Sequence, residues 1–460
     1  MNLLQKARIH DGGLFLDYIS KKEYSYQEVA YTIPQKKDSR LFFIYADNTI
    51  QTIAVYLSAL ESNHTIALLN VQLDTALKKE LEKKYSPELI YDPSRTVVTS
   101  YELEELHNSF ATINVFTNWN SKGHIHPNCK LLLSTSGTTG SPKLVKLSYQ
   151  NLWANATAIA TYLPIQDTDV TPLNLPIHYS YGLSVLHSNL IKGAKIVCGL
   201  PDILQREFWS ALTTYKFTSL AGVPFLYGML KRIGFLKTSY PSIRYITQAG
   251  GNLNASLKKD FLSYCKANTI AFYVMYGQTE ATARIAYVPV EKLQDKITSI
   301  GISIPNGELA IAPETGELLY KGPNIFGGYA LLRADLKEWK TISSLATGDI
   351  ATQDKDGYFY ITGRIKRFVK LFGNRVNLDD IERFLSNSYP KHTLACIGIE
   401  DQHLLISYSG PELDPKPLKK AIFDTYKLHP NAIKIQQLSE LPLTGNGKLD
   451  YKKIRQEYDV

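Results

Sequence analysis

The chain of 460 residues is poor in cysteine and has no long hydrophobic run. A membrane-spanning helix needs about 18 or more consecutive apolar residues, so we expect no membrane span. The four cysteines, Cys129, Cys198, Cys265 and Cys396, lie far apart and lack the paired spacing of a zinc or redox site. The first residues also lack the apolar core of a signal peptide. These absences together predict reduced thiols and a cytoplasmic protein.

The chain carries a formal net charge of +8, and 44% of its residues are hydrophobic and 20% charged. The cations are spread along the sequence rather than gathered in one basic run, which argues against nucleic-acid binding. An excess of positive charge does suit an anionic substrate such as a nucleotide. The length exceeds what one hydrophobic core usually supports, so we expect two or more domains.

Apolar runs alternate with helical patterns through the first part of the chain and resume after residue 143. The predicted strands are 41–45, 65–69, 89–91 and 195–198, and the predicted helices are 50–60, 76–84 and 151–162. Ser148 precedes the last helix as a candidate N-cap. This alternation predicts an α/β fold with a doubly wound parallel sheet.

The pattern changes beyond Ser299. Short apolar runs at 308–311, 316–320 and 357–361 are separated by Gly, Pro and Asp, which predicts a small antiparallel sheet or barrel. A basic segment then leads into a compact tail that contains a strand-like run. We therefore expect two domains, 1–363 and 364–460.

The segment 131–143 is the most informative in the sequence. Three leucines predict a buried strand, which ends in a loop of Ser, Thr and Gly residues and then Lys143. Glycines let several backbone N–H groups point at one anion, and the hydroxyls and the lysine add donors and charge. Gly137, Gly140 and Lys143 are three residues apart, unlike the Walker spacing. The loop therefore predicts phosphate binding, with a surface turn as the alternative.

Two further segments combine a turn with acidic side chains. Tyr276 to Glu280 follows an apolar run and is expected at the carboxyl end of a strand, where ligands gather in parallel sheets. An aromatic ring there can pack on a purine, and a carboxylate can hold Mg²⁺ beside a phosphate, with a core position as the alternative for Tyr276. Asp349 ends a tight turn, where a carboxylate either accepts from ribose hydroxyls or stabilises its own turn.

The last two segments are basic. Residues 363–375 contain five cations, of which Arg367 is predicted to belong to a solvated face. Residues 443–450 present Lys448 on a glycine-flanked turn. Neither segment is specific by itself.

In order and type, these segments resemble the adenylate-forming superfamily, which includes acyl-CoA synthetases, aryl-acid ligases, peptide-synthetase adenylation domains and luciferase. The resemblance covers roughly residues 24–454 and includes Gly322-Pro323 and Gly328-Tyr329. It implies a large N-terminal domain of doubly wound parallel sheets plus a small β-barrel, followed by a small mobile α+β C-terminal domain.

The resemblance implies a role for each matching residue. The residues that would close over the β- and γ-phosphates of ATP are Thr135, Ser136, Gly137, Thr138, Thr139, Gly140 and Lys143. Those that would hold the rest of the nucleotide are Gly250, Gly251 and Tyr276 at the adenine, Thr279 at the α-phosphate, and Asp349 and Arg364 at the ribose. Glu280 would hold Mg²⁺, and Lys448 would be the catalytic lysine of adenylation.

The same resemblance implies a two-step ligase. The chain would convert a small carboxylic acid and ATP to an acyl adenylate and pyrophosphate, and a thiol would then displace AMP. Lys366 matches the hinge about which the C-terminal domain rotates, and Lys370 and Gly373 match the loop presented to the thiol. The acceptor would be CoA or the phosphopantetheine of a free-standing acyl carrier protein, with CoA slightly favoured.

Several positions depart from the family pattern. Leu144 replaces a usual glycine and Tyr149 a common histidine. The loop 176–183 lacks the aspartate that pairs the ammonium group of an amino acid, which makes an amino-acid substrate less favoured. His178 and Tyr179 in this loop are candidates for the substrate pocket, with a structural histidine as the alternative. Arg284 would meet either an acidic acyl group or, as we prefer, a surface carboxylate.

Two other functions stay open at this stage. A non-catalytic protein that binds a nucleotide or acyl adenylate would use the same fold, but it would not require Lys448. An oxidative, luciferase-like enzyme would share all the adenylation residues.

Overall fold

The computed structural model describes residues 14–120, 123–134, 143–371, 374–399, 402–444 and 447–458. The strands are β1 (Phe15–Asp17), β2 (Lys22–Tyr24), β3 (Leu41–Ala46), β4 (Thr65–Asn70), β5 (Leu89–Tyr91), β6 (Glu102–His107), β7 (Thr112–Thr117), β8 (Leu131–Ser134), β9 (Leu144–Leu147), β10 (Val170–Pro172), β11 (Lys195–Cys198), β12 (Ser219–Gly222), β13 (Tyr245–Gln248), β14 (Ala271–Tyr276), β15 (Ala286–Val288), β16 (Ile302–Ser303), β17 (Glu308–Ile311), β18 (Glu317–Lys321), β19 (Tyr329–Ala330), β20 (Leu345–Gln353), β21 (Phe359–Arg364), β22 (Phe368–Leu371), β23 (Asn374–Asn377), β24 (Thr393–Ile399), β25 (His403–Ser409) and β26 (Ile433–Gln437). The α-helices are α1 (Tyr26–Val29), α2 (Ile50–Glu61), α3 (Thr75–Tyr85), α4 (Tyr149–Tyr162), α5 (Ser180–Leu190), α6 (Arg206–Tyr215), α7 (Pro224–Arg232), α8 (Ala255–Ala267), α9 (Leu378–Ser388), α10 (Pro415–Tyr426) and α11 (Tyr451–Tyr458).

The largest sheet has eight strands in the order β19-β9-β8-β4-β3-β5-β7-β6. Its centre is parallel, because β3 pairs in parallel with both β4 and β5, and β4 pairs in parallel with β8. Every residue of β3 is buried, as expected for a strand covered on both faces. The predicted parallel α/β core is therefore confirmed, and the predicted strands at 41–45, 65–69 and 89–91 all lie in it.

The second sheet has five strands, β12 to β16 in chain order. Its first three strands are parallel, so β13 and β14 end at the same edge. Helix α4 begins as predicted, since the Ser148 hydroxyl accepts from the Asn151 backbone N–H at 3.1 Å. A further small sheet has the order β10-β11-β1-β2.

The sheet formed by β17, β18, β20 and β21 is antiparallel and corresponds to the predicted small barrel. Its last strand bridges through Phe359 to Gly301 beside the five-stranded sheet. This contact connects the antiparallel sheet to the five-stranded sheet.

The C-terminal region has core clusters of its own, built from residues 369–433 and 395–454. Helices α9 and α11 pack against β24 of the three-stranded sheet β24-β25-β26, and α10 contributes Leu418 and Ile422 to the same core. This separate core agrees with a C-terminal unit, while the boundary at 363/364 stays a prediction.

The interpretation of Arg367 as part of a solvated face is wrong. Its guanidinium donates to Asp379 at 2.7 Å, to Glu382 at 2.5 Å and to the Cys396 carbonyl at 2.9 Å. It also lies 4.0 Å from the centroid of the Tyr451 ring. The side chain thus joins α9, β24 and α11, because two partly buried carboxylates require a cation between them.

Within the part of the chain that the structure describes, no helix has both the length and the apolar character needed to cross a membrane.

Candidate active site

The turn after β14 sets the position of the predicted catalytic residues. A Cβ atom on Gly277 would overlap the carbonyl oxygen of Ala283, so only glycine fits where the chain folds back. A single 3-10 turn, Thr279–Ala281, follows directly. Thr279 and Glu280 therefore stand at the carboxyl edge of the five-stranded sheet, as the sequence predicts.

Tyr276, Asp349 and Arg364 meet at this edge. The Tyr276 hydroxyl donates to one carboxylate oxygen of Asp349, and Arg364 Nε donates to the other at 2.9 Å. Pairing of β20 with β21 places Asp349 opposite Arg364. Burial, and then the charge of Asp349, raises the pKa of Tyr276 well above its ordinary value, so the phenol keeps its proton and stays a donor.

A second group joins Glu280 to Lys143 through Tyr329. The Tyr329 hydroxyl donates to Glu280 Oε1 at 2.7 Å, and Lys143 Nζ lies 3.6 Å from the centroid of the Tyr329 ring. Strand β19 pairs with β9, so Tyr329 faces Val145, two residues after the lysine. Sequence reasoning gave Tyr329 no role, although Gly328-Tyr329 was among the segments that carried the resemblance.

Thr279 approaches the start of helix α5. Its hydroxyl lies 3.3 Å from the hydroxyl of Ser180, the first residue of that helix. Ser180 was not singled out from the sequence, although it lies in the loop 176–183 that was. The two hydroxyls provide adjacent donors beside the carboxylate of Glu280.

The predicted adenine residues and one pocket residue also come together. Gly250 has a φ of +84°, and a Cβ atom there would lie 2.5 Å from the Tyr179 hydroxyl. Gly251 lies against Pro224 at the start of α7. His178, the other pocket candidate, is half-buried; burial lowers its pKa to about 4, and its Nδ1 has no hydrogen-bond partner. A neutral ring is therefore present at neutral pH.

Lys448 reaches this edge from the C-terminal region. The adjacent Gly447 has a φ of +70°, and a Cβ atom there would lie 3.3 Å from Val223 and 3.5 Å from Phe225. Burial, and then the positive charge of Arg364, lowers the pKa of Lys448, while Asp349 and Glu280 act in the opposite direction. The lysine therefore lies in the electrostatic field of three predicted site residues.

The structure does not test the roles of several predicted site residues. Outside the described residues lie Thr135, Ser136, Gly137, Thr138, Thr139, Gly140 and Gly373. Lys366 lies in the 3-10 turn Ile365–Arg367, and Lys370 lies on β22 opposite Arg375. Their predicted roles as hinge and thiol-step residues stay predictions.

Leu144, which replaces the usual glycine, is fully buried as the first residue of β9 and packs in a core cluster. One expectation from the sequence needs correction. Arg284 was expected at a surface ion pair, but only 3% of it is exposed. No local sequence signal distinguishes a buried arginine from an exposed one, because its burial depends on distant elements.

Glu280 is the carboxylate available to Mg²⁺ at this edge. The described residues contain no group of three or more His, Cys, Asp or Glu side chains that could hold a metal ion by themselves. Mg²⁺ at nucleotide sites commonly uses one or two carboxylates together with phosphate oxygens and water. Glu280, with one oxygen fixed by Tyr329, fits that donor set.

Comparison with known proteins decides the family. The family model described as AMP-binding enzyme matches residues 35–330, which is more than half of the chain. The chain belongs to the AMP-binding enzyme family. This result confirms the adenylate-forming superfamily inferred from the sequence.

Relatives in this family include two 2-succinylbenzoate–CoA ligases. The protein from Listeria monocytogenes is 26% identical over 341 residues, covering 72% of this chain and 70% of the relative. A protein from Bacillus cereus is 29% identical over 343 residues, covering 71% of this chain and 69% of the relative.

Solved structures share the fold over nearly the whole chain. The o-succinylbenzoate CoA synthetase from Bacillus subtilis, in complex with an acyl-adenylate intermediate, has a TM-score of 0.77 at 20% identity and covers 98% of this chain and 97% of its own. An anthranilate CoA ligase in complex with anthranoyl-AMP has a TM-score of 0.75 at 17% identity, and the match covers 100% of this chain and 97% of the ligase. The predicted two-part α/β architecture is thereby confirmed.

Proposed function

We propose that this protein uses ATP to convert a small carboxylic acid to an acyl adenylate and then transfers the acyl group to a pantetheine thiol, giving a thioester, AMP and pyrophosphate. The observation that carries the proposal is that Lys448 lies near enough to Glu280, Asp349 and Arg364 for all three charges to act on its pKa, while the adjacent Gly447 approaches Val223. A protein that only binds a nucleotide has no need of a lysine brought to this point from the C-terminal region.

The physical requirement of adenylation explains such a lysine. A carboxylate must approach an α-phosphate that is itself negative, and at 4 Å two like charges cost about 4 kcal/mol at an effective dielectric constant of 20. An ammonium group that contacts both anions offsets this repulsion most strongly as they come together. Arg364 repels Lys448, and a bound anion would relieve that repulsion.

The remaining residues then have distinct tasks. We propose that Gly250, Gly251 and Tyr276 enclose the adenine and that Asp349 accepts from the ribose hydroxyls. Each Asp349 oxygen already accepts one hydrogen bond but keeps a further lone pair for this. Arg364 holds the carboxylate in place for the ribose.

At the phosphate end, we propose that Thr279 and Lys143 donate to phosphate oxygens together with the loop 135–140. Glu280 would hold Mg²⁺ with the phosphates. Bound there, the ion would neutralise phosphate charge as a Lewis acid. Tyr329 fixes the Glu280 carboxylate by its hydrogen bond and positions the Lys143 ammonium over its ring.

We propose CoA as the acceptor, because both kinds of relative named above are CoA ligases. An acyl carrier protein is the alternative acceptor. For the thiol step we propose that the unit 364–460 turns about Lys366, withdraws Lys448 and presents Lys370 and Gly373. Separate core clusters on the C-terminal side support such a rotation.

We further propose a cytoplasmic location. All four cysteines are free and buried. Burial raises the pKa of Cys129 and Cys265 to about 12, which keeps these thiols protonated and unreactive. Such thiols suit a reducing compartment.

The test compares Lys448→Ala with Lys452→Ala, which removes an exposed lysine from helix α11. Pyrophosphate release with a panel of carboxylic acids reports adenylation, and thioester formation from supplied acyl adenylate and CoA reports the second step. We expect Lys448→Ala to lose adenylation by at least 100-fold and to retain most thioester formation, because the lysine acts only in the first step. Lys452→Ala should behave as the unmodified protein in both assays.

Equal loss of both steps in Lys448→Ala would contradict this division of labour. Unmodified protein that produces no AMP from ATP with any acid would contradict the proposed function itself.

A further inference from the structure

The C-terminal unit is hydrogen-bonded to the N-terminal part of the chain beside the proposed hinge. The Thr362 carbonyl oxygen on β21 accepts from Arg383 Nη2 at 2.6 Å and from Asn377 Nδ2 at 3.3 Å. Lys366 lies between the acceptor and both donors in the sequence, so the two hydrogen bonds cross the hinge. We call these three residues, Thr362, Asn377 and Arg383, the hinge contact.

A β-bulge presents the Thr362 carbonyl. Ile361 and Gly363 pair with consecutive residues of β20, so the register of the two strands skips Thr362. The extra residue of a bulge is left unpaired in the ladder, and bulges are common beside active sites, where they redirect a group. Thr362 lies two residues before Arg364, which pairs with Asp349 at the nucleotide edge. The acceptor of the hinge contact therefore belongs to the strand that builds the site.

The two parts of the chain approach closely at this point. A Cβ atom on Gly363 would overlap the side-chain amide of Asn377, so only glycine fits here. Asn377 is itself fixed as the N-cap of α9, because its Oδ1 accepts from the Asp379 backbone N–H at 3.0 Å. The hinge contact therefore holds the start of α9 directly against β21.

Helix α9 connects the hinge contact to the catalytic lysine. Glu382, next to Arg383, accepts from the hydroxyl of Tyr451 at 2.9 Å, and Tyr451 is the first residue of α11. Lys448 lies three residues before Tyr451, in a turn closed by two hydrogen bonds with Thr444, at 2.7 and 3.2 Å. Helix α9 and the lysine turn thus move together, so the position of the helix sets the position of Lys448.

The contacts of Arg383 inside the C-terminal unit are weak. Its ion pair with Asp380 measures 3.1 Å, and the two side chains are 41% and 44% exposed. An exposed pair of this kind contributes little to stability. The hydrogen bond to the Thr362 carbonyl is shorter, and a charged donor makes a stronger hydrogen bond than a neutral one. Removing the guanidinium should therefore weaken the attachment of the unit more than its fold.

Rotation about the hinge must break the hinge contact. Thr362 precedes Lys366 by four residues, at most about 13 Å of extended chain. At roughly 10 Å from a pivot, a turn of about 10° moves a partner by about 2 Å, which is more than a hydrogen bond tolerates. The hinge contact is therefore compatible with Lys448 at the nucleotide edge and incompatible with its withdrawal.

We propose that Arg383 is a positioning residue for adenylation: its hydrogen bond to the Thr362 carbonyl holds the C-terminal unit in the pose that brings Lys448 to the nucleotide edge, and its release frees the unit for the thiol step. This inference rests on the proposed function and adds the residue that sets the balance between the two poses. Weakening the hinge contact should slow the first step without slowing the second.

The first test compares Arg383→Met with Lys420→Met, which removes an exposed lysine from α10. Pyrophosphate release at saturating ATP and acid measures adenylation, and thioester formation from supplied acyl adenylate and CoA measures the second step. For Arg383→Met we expect the ratio of the first rate to the second to fall about tenfold, because a hydrogen bond from a charged group shifts an equilibrium by about that factor. Arg383→Lys should restore part of the ratio, and Lys420→Met should leave it unchanged.

A disulfide reports the pose without any turnover. A Cβ atom on Gly447 would lie 3.5 Å from the Phe225 Cβ, a separation that a disulfide spans. The test combines Phe225→Cys with Gly447→Cys and measures disulfide formation under a mild oxidant, with and without Arg383→Met. The four native cysteines are buried and should not compete. We expect Arg383→Met to slow disulfide formation about tenfold, because the pose that brings the two thiols together is less populated.

An unchanged ratio of rates in Arg383→Met would overturn the inference, and so would an unchanged rate of disulfide formation. Equal loss of both steps, with a melting temperature several degrees lower, would also overturn it, since Arg383 would then stabilise the fold rather than the pose. If the unmodified protein forms no AMP with any acid while Arg383→Met still slows the disulfide, the hinge contact stands and the proposed function fails.

Discussion

Replacing Tyr329 by Phe tests the contact that fixes Glu280. The change removes the hydroxyl that donates to Glu280 Oε1 at 2.7 Å but keeps the ring beneath Lys143. Loss of a group that orients a metal-binding carboxylate typically costs about 10–100-fold in metal affinity. Tyr329 is 36% exposed, so water can replace part of the lost hydrogen bond. We therefore expect the lower end of that range, about a tenfold increase in the Mg²⁺ concentration for half-maximal activity.

The assay is pyrophosphate release over a Mg²⁺ titration at saturating ATP and acid. The maximal rate of Tyr329→Phe should stay within about threefold of the unmodified rate, because saturating metal restores the occupied site. Tyr360→Phe is the matched control, since its hydroxyl also donates to a carboxylate, Asp354, at 2.8 Å but away from Glu280. That control should leave the Mg²⁺ dependence unchanged.

An unchanged Mg²⁺ midpoint in Tyr329→Phe would refute the reasoning, because the hydroxyl would then contribute nothing to Glu280 as a metal ligand. A fall in maximal rate with no change in midpoint would assign Tyr329 to the transition state rather than to the metal.

Two other perturbations follow from the geometry. Gly250→Ala should raise the KM for ATP at least tenfold. A φ of +84° costs alanine about 1–2 kcal/mol, and its Cβ would lie 2.5 Å from the Tyr179 hydroxyl. Unchanged nucleotide binding would show that Gly250 does not belong to the adenine site. The buried His187 ring is hydrogen-bonded to the Tyr56 hydroxyl at 2.8 Å. Burial lowers the pKa of His187 to about 3, so the ring stays neutral in the folded state. In the unfolded chain the same ring takes up a proton below about pH 6.5. Stability should therefore fall as pH decreases from about 6.5 towards 3. His187→Gln should reduce the slope of the unfolding free energy against pH by up to about 1.4 kcal/mol per pH unit. An unchanged slope would contradict this assignment.

The parallel core was predictable because its strands are continuous apolar runs. Strand β3 and its neighbours are buried on both faces, so local composition determines their position. The hairpin of β6 and β7 was not predicted, because β6 (Glu102–His107) is a largely exposed edge strand with four charged or polar residues out of six. An exposed edge strand has no apolar run to mark it.

The same distinction applies to the site. Thr279 and Glu280 follow a strand directly, so the end of the apolar run predicts their place. The Tyr329 contact with Glu280 joins residues 49 apart in sequence and depends on the pairing of β19 with β9. A contact of that kind arises from sheet register rather than from any local motif.

Arginine and lysine residues illustrate what composition alone leaves undecided. The basic segment 363–375 contains both Arg364, which pairs with Asp349 at the nucleotide edge, and Arg367, which pairs with two carboxylates inside the C-terminal unit. Lys448 and Arg284 differ from both, since neither has an ion pair within the described residues. Desolvating a cation without a protein anion is unfavourable, and a bound ligand is one source of the missing anion. For Lys448 we propose that the reacting carboxylate and the phosphate supply that anion.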